Sequence, residues 1–178
     1  MGKIIMFVTT SLDGYSTKHN GDTAWIRQAM LPAEDYGLTD LMSNVGAYIL
    51  GATTYRAMEK MGVEERERQV PTYLVSQRQA LTPDQNRYVN GGDLALLVQR
   101  LKAEVDKDIW LLGGGDLITQ GLRLNLIEEI ILMVAPVLLG GGIPLFGPLL
   151  ERKNLTLLHC TSYPQSGLLA LTYTLALP

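Results

Sequence analysis

The chain holds one cysteine, Cys160, and two histidines, His19 and His159, among its 178 residues. A single thiol rules out an intrachain disulfide. One Cys and two His cannot build the zinc site of the nucleobase deaminases, which needs a His or Cys plus a C-x-x-C pair; zinc-dependent deamination is excluded and no metal site is expected. Clustered Lys and Arg are also missing, and the formal net charge is −3. Nucleic-acid binding needs such clusters, so nucleic acid is not an expected partner. Arg66 and Arg68 lie among Glu64, Glu65 and Glu67, a mixed-charge pattern that reads as a solvated face. The most apolar run, residues 130–139, is broken by Pro136 and falls short of a membrane span. The opening residues turn polar too soon for a signal peptide, and Met6 stands where a myristoylation signal wants Ser or Thr. The expectation is a cytoplasmic protein that makes no membrane contact. Neither an internal repeat nor a linker-like change of composition divides the chain, which predicts one domain over residues 1–178.

What is present is ordinary for a packed domain, with 47% hydrophobic and 19% charged residues. Residues 4–10 are apolar and partly β-branched, which predicts a buried strand. Residues 11–23, rich in Gly, Asp, Ser and Asn, predict a long loop. Pro32 opens a predicted helix to about residue 44, with acids in its first turn as the helix dipole prefers. A strand over 47–50 and a short helix capped by Thr53 follow, then a charged surface excursion over 61–70. Strands are predicted at 71–76, where Pro71 takes the first position, and more weakly at 87–89. Asp93 caps a helix that lines Leu94, Leu97, Val98, Leu101 and Val105 along one face. After it come a strand at 109–112, a helix at 116–122, a strand at 127–135 and a Gly/Pro loop at 140–148. Residues 155–162 and 168–175 predict a closing antiparallel hairpin, with Cys160 a buried thiol and His159 a structural residue, while His19 reads as solvated. Helices alternating with strands and then two or three final strands predict an α/β fold. Its sheet is mostly parallel, with flanking helices and an antiparallel C-terminal edge.

Five constellations could carry chemistry. In Trp110-Leu111-Leu112-Gly113-Gly114-Gly115-Asp116 a buried strand meets three glycines and a helix start. Glycines let backbone approach a diphosphate, and the helix N-terminus offers free N–H groups; a tight strand-to-helix turn would look the same. It is not the G-x-G-x-x-G fingerprint, which disfavours an ordinary Rossmann domain. Leu50-Gly51-Ala52-Thr53-Thr54-Tyr55 repeats the pattern with two hydroxyls, able to bind phosphate or to cap the helix. Two such junctions suit a dinucleotide, because ligands of open α/β sheets sit at the carboxyl ends of strands. Ser76-Gln77-Arg78 follows a strand, where Arg78 could pair with a ribose 2′-phosphate or stand as an exposed loop residue. Thr9-Thr10-Ser11-Leu12-Asp13-Gly14 ends the first strand with a carboxylate that either faces substrate or serves the turn. Trp25 either stacks on a flat heterocycle or plugs a loop. The Gly140-Gly141-Gly142-Ile143-Pro144-Leu145-Phe146 loop borders either the cofactor or an oligomer interface.

This ordered set resembles the dihydrofolate-reductase-like superfamily, and most closely the reductase domain of the bifunctional riboflavin-biosynthesis deaminase–reductase and its stand-alone relatives. The resemblance runs from Ser11-Leu12-Asp13-Gly14-Tyr15 through the Gly51 and Gly113 motifs to Gly140–Phe146 and implies an eight-stranded sheet binding NADPH. It implies Gly113, Gly114, Gly115 and Asp116 at the diphosphate, Gly51, Thr53 and Thr54 on the other side, and Ser76 with Arg78 at the adenosine ribose. Thr9, Asp13 and Trp25 would meet a small-molecule substrate. Asp35, in Leu31-Pro32-Ala33-Glu34-Asp35, matches the first-helix acid of dihydrofolate reductases. Many relatives carry Arg directly after the glycine of the second motif; Ala52 stands there in this chain, which moves a 2′-phosphate role onto Arg78 or Arg56. Relatives are commonly homodimers. The implied activity is hydride transfer from NADPH to a C=O or C=N bond of a heterocyclic or ribosyl-amino-pyrimidine-like substrate. Dihydrofolate reduction and a non-catalytic binding protein on the same fold are the alternatives.

Overall fold

A computed structural model describes residues 2–60, 70–76, 87–90 and 93–175. In chain order the elements are β1 (Ile4–Ser11), β2 (Tyr15–Thr17), α1 (Ala24–Ala29), α2 (Leu38–Asn44), β3 (Val45–Gly51) and α3 (Ala52–Lys60). Next come β4 (Thr72–Val75), β5 (Arg87–Asn90), α4 (Leu94–Glu104), β6 (Asp108–Gly113) and α5 (Gly115–Arg123). The chain closes with β7 (Glu129–Ala135), β8 (Ile143–Pro144), β9 (Leu155–Tyr163) and β10 (Leu168–Leu175).

Eight strands form one sheet in the order β5-β4-β3-β6-β1-β7-β10-β9. Neighbours from β5 to β7 are parallel, and β10 runs antiparallel to both β7 and β9. The fold is α/β, a mostly parallel sheet with the antiparallel strands at one edge, as expected.

Strand alternation sends successive side chains to opposite faces. Ile4 and Met6 of β1 and Ile109 and Leu111 of β6 pack against Leu94, Leu97 and Leu101 of α4 and Leu117, Ile118 and Leu122 of α5. Ile5 and Trp110 face the other way, with Tyr48, Leu50 and Tyr55, against which Leu41 and Met42 of α2 and Met58 of α3 pack. Asp93 caps α4 as predicted, its carboxylate accepting from the Leu96 N–H at 3.0 Å. At the base of the sheet the Glu128 carboxylate accepts from the Ile4 N–H at 2.8 Å and from Lys102 Nζ at 2.5 Å, tying α4 to the start of β1.

Four expectations are corrected. The loop predicted over residues 11–23 contains β2, which pairs with β8. The helix predicted from Pro32 starts at Leu38, because Tyr36 and Gly37 have left-handed φ values of 56° and 76°; left-handed residues end or precede helices. A separate six-residue helix, α1, lies before it. The α3 helix begins at Ala52, so Thr53 lies in its first turn and is not its cap. Cys160 and His159 are exposed, because β9 lies at the sheet edge and presents both faces. Most of the charged segment over 61–70 lies outside the described residues.

Candidate functional site

Parallel strands bring their carboxyl ends to one rim of the sheet. There Leu50 of β3 stands beside Gly113 of β6, Gly51 beside Val75 of β4, and Ser11 of β1 beside Ala135 of β7. The two strand–glycine–helix motifs therefore become neighbours. A Cβ on Gly51 would lie 3.7 Å from the Gly113 carbonyl oxygen, and one on Gly114 would lie 3.2 Å from Thr54 Oγ1. Gly113 has φ +114°, a value that favours glycine. Backbone from β6–α5 thus closely approaches the backbone of β3–α3 at Gly51 and the Thr54 hydroxyl. Both α3 and α5 begin at this junction, so their free N–H groups and positive dipole ends converge on it. That arrangement suits a diphosphate. Asp116, in the first turn of α5, is exposed, and Ser76 follows β4 at the same rim, half-buried. Arg78 lies outside the described residues.

Beside this junction the central strand is incompletely covered. β1 is flanked on both sides, yet Phe7, Val8 and Thr9 are only half-buried between buried neighbours. Phe7 packs both on the Trp110–Tyr48 cluster and on a second cluster of Trp25, Tyr36, Met133, Ala135 and Leu168. Its ring meets Trp110 edge-on, with centroids 5.6 Å apart. The alternation of β1 sets Thr9 on the same face as Phe7. Phe7 and Thr9 are thus half-covered residues of that face, with Phe7 between the cluster that holds Trp25 and the one that α2 and α3 cover. Trp25 is 4% exposed and belongs to the buried cluster against which Phe7 packs. Among the described residues, the indole nitrogens of Trp25 and Trp110 are buried without a hydrogen-bond partner.

The two carboxylates singled out in the sequence are both engaged in local structure. Asp13 accepts from Ser11 Oγ at 2.6 Å, from the Leu139 N–H at 3.1 Å and from the Gly140 N–H at 2.8 Å. The Ser11 hydroxyl and then these backbone donors hold its carboxyl below the usual carboxylate range. Asp13 thus pins the loop after β1 to the loop after β7. Asp35 is exposed and accepts from Thr39 Oγ1 at 2.7 Å and from the Thr39 N–H, which lowers its pKa and secures the start of α2.

The glycine-rich loop over 140–148 completes the rim. The Leu145 N–H donates to the Gly14 carbonyl at 3.0 Å, Ser16 Oγ donates to the Ile143 carbonyl at 3.1 Å, and the Gly147 N–H donates to Thr119 Oγ1 of α5 at 3.0 Å. A Cβ on Gly115 would sit 3.8 Å from the carbonyl oxygens of Pro144 and Leu145, so this loop borders the triple-glycine turn. Phe7 escaped the sequence reading: a central-strand Phe looks like core, and in the fold it is only half-buried, packed on two separate clusters.

Comparison with known proteins agrees with this geometry. YwjB, an uncharacterised protein of Bacillus subtilis, is 29% identical over 165 residues, covering 92% of this chain and 94% of its own. A putative riboflavin biosynthesis protein from Shewanella sp. PV-4 superposes with a TM-score of 0.88 at 26% identity, covering 98% of this chain and 99% of that one. The riboflavin biosynthesis reductase of Saccharomyces cerevisiae has a TM-score of 0.66 at 16% identity, over 98% of this chain and 90% of that one. Dihydrofolate reductase from Enterococcus faecalis, solved with NADP(H), has a TM-score of 0.65 at 10% identity over 97% and 96% of the two chains, a likeness of fold. The family model of the RibD C-terminal domain matches residues 2–169, and the chain belongs to that reductase-like family.

Proposed function

We propose that the chain is an NADPH-dependent reductase that passes a hydride to a C=O or C=N bond of a small heterocyclic or ribosyl-amino-pyrimidine-like substrate. The observation that carries this reading is the close approach of two strand–glycine–helix junctions, Gly51 with Thr54 and Gly113 with Gly114, next to the half-buried Phe7–Thr9 stretch. Gly113, Gly114, Gly115 and the start of α5 would hold the diphosphate from one side, and Gly51, Thr53 and Thr54 from the other. Asp116 lies in that first helical turn, and Ser76 stands toward the adenosine ribose. The cofactor, when bound, supplies the hydride. Phe7 and Thr9 orient the substrate's flat ring and exclude water from it, with the buried Trp25 in the cluster that supports Phe7. Asp13 serves as a positioning residue, because its oxygens hold together the loops that follow β1 and β7. The exposed Asp35 is taken up by α2, which weighs against dihydrofolate reduction.

The same reading includes a homodimer. β9 is an edge strand without a charged residue, and Leu155, Leu157 and Leu158 on it are 43%, 50% and 44% exposed. Long apolar edges require cover, and a second copy aligned antiparallel along β9 supplies it.

Titration with NADPH and with NADH, followed by calorimetry, tests the reductase reading. Tight NADPH binding with NADH at least about tenfold weaker, near 1.4 kcal/mol, supports it. Silence with both dinucleotides would overturn it in favour of a non-catalytic binding protein on the same fold.

A further inference from the structure

Between β2 and α1 the chain turns through Asn20 and Gly21, both exposed. We propose that this pair is a self-modification site, where the Asn20 side chain loses ammonia through an internal imide and ends as a mixture of aspartate and isoaspartate. Nothing in it depends on the reductase reading.

The only co-reactant is water. The Gly21 backbone nitrogen attacks Cγ of Asn20; the N–Cγ bond forms and the Cγ–Nδ2 bond breaks. The proton of the Gly21 amide passes through water to the leaving nitrogen, which departs as ammonia. Water then opens the five-membered imide at one of its two carbonyl carbons. Opening at Cγ leaves aspartate at position 20, and opening at the main-chain carbonyl leaves isoaspartate, with the backbone routed through the side chain. No atom is oxidised or reduced.

The fold prepares this attack. Gly21 has φ +79°, and a Cβ there would meet nothing within 4 Å, so no side chain shields the attacking nitrogen. Asn20 Oδ1 accepts from the Asp22 N–H at 3.0 Å. That bond bends the carboxamide over the intervening peptide, whose nitrogen belongs to Gly21, and so brings nucleophile and electrophile together. It also aims a backbone donor at the oxygen on which negative charge develops during attack. The Gly21 N–H donates to the Lys18 carbonyl at 2.9 Å; this bond has to open, and in an exposed turn water replaces it at little cost.

Conversion changes the surroundings. The turn is closed by the Lys18 N–H donating to the Asp22 carbonyl at 3.1 Å and by Lys18 Nζ, 3.5 Å from the Asp22 carboxylate. Isoaspartate lengthens the main chain inside that closed turn and opens it. His19 within the turn stands against Gly141, where a Cβ would lie 2.9 Å from its Nε2. Gly21 and Asp22 line a cleft of about 490 Å³ together with Arg27 of α1 and Arg56 of α3, and either product puts a new carboxylate one residue from that lining.

The test incubates the folded protein in neutral buffer, beside a sample held in urea, and follows each asparagine by peptide mapping, with isoaspartate detected by methyltransferase labelling. Asn90 also precedes a glycine, but it lies in β5 opposite Val75, where the ladder holds the backbone extended, away from the compact imide. Asn20 is expected to convert faster than Asn90, at least tenfold faster than Asn125 and Asn154, which precede leucine, and no more slowly than in urea. Asn20→Gln, whose longer side chain does not close the same ring, should lose the fast release of ammonia with Tm unchanged. Amide exchange at Lys18 should rise at least tenfold in the isoaspartate form, while Asn20→Asp, which adds the charge without lengthening the chain, stays within threefold of the parent. The modification site is overturned if Asn20 lasts as long as Asn125 and Asn154, if it converts only in urea, if Asn90 converts first, or if Asn20→Gln releases ammonia at the parent's rate. Lys18 exchange equal in the isoaspartate form and the parent would overturn the opening of the turn. These readouts involve no dinucleotide, so their failure leaves the reductase reading untouched.

Discussion

Replacing Gly114 with alanine separates the candidate site from the fold. Gly114 has φ −57° and ψ 174°, an extended conformation that alanine adopts without strain. The new methyl would sit 3.2 Å from Thr54 Oγ1, a contact tighter than van der Waals but against a side chain that can turn. Moving Thr54 away from its preferred rotamer costs about 0.5–1.5 kcal/mol. The loss of backbone freedom in the unfolded chain returns about 0.4–1 kcal/mol. Net stability therefore changes by about 1 kcal/mol or less, a shift of roughly 2–4 °C in Tm for a chain of this size. Ligand binding responds differently. The methyl fills space that the proposed diphosphate needs, and a lost hydrogen bond to a charged group is worth about 1.5–3 kcal/mol. NADPH affinity should fall by roughly ten- to 150-fold at that energy. Calorimetry measures the affinity and thermal unfolding monitors the fold. If NADPH binds Gly114→Ala within threefold of the parent while Tm is unchanged, the paired glycine junctions are tight turns and hold no phosphate.

Asp13 should act through pH. Its folded carboxyl lies below the ordinary range, so its hold on the two loops is complete above about pH 4 and is lost as pH falls through the lowered value. Amide exchange at Leu139 and Gly140, corrected for intrinsic rates, should accelerate on acidification; in Asp13→Asn it should already be fast and independent of pH. Protection of those amides in the variant equal to that of the parent would remove the pinning role. Leu101 of α4 is fully buried, and Leu101→Ala should destabilise the fold by about 2–5 kcal/mol in urea titration; a loss under about 1 kcal/mol would mean that the α4 side of the sheet repacks. Leu157→Lys places a charge on the exposed edge strand and should yield a monomer by sedimentation; a monomeric parent, or a variant that remains dimeric, would refute pairing along β9.

Where local chemistry dominates, the sequence was legible. The apolar β-branched runs became β1, β3, β4, β6 and β7, and the Asp93 cap formed as expected. The glycine clusters announced close backbone approach before any partner was known. The misreadings share a cause. The α1 helix has six residues and buries only Trp25, too little for a periodic signal. β2 forms because β8, far along the chain, pairs with it. Cys160 sits in a run as apolar as any core strand, and only its place on the edge strand leaves it exposed. The left-handed turn at Tyr36 and Gly37 also delays the helix past Asp35, whose carboxylate accepts from Thr39.

From the sequence alone came the α/β class, most strand positions, the two strand–glycine–helix junctions and the family resemblance, because these depend on side-chain periodicity and on glycine's lack of a Cβ. Tertiary structure decided that Gly51 and Thr54 face Gly113 and Gly114, that Arg27 and Arg56 line one cleft, and that Asp13 binds two loops. Each of these joins residues distant in the chain, and strand order and helix placement set such distances where no local pattern records them.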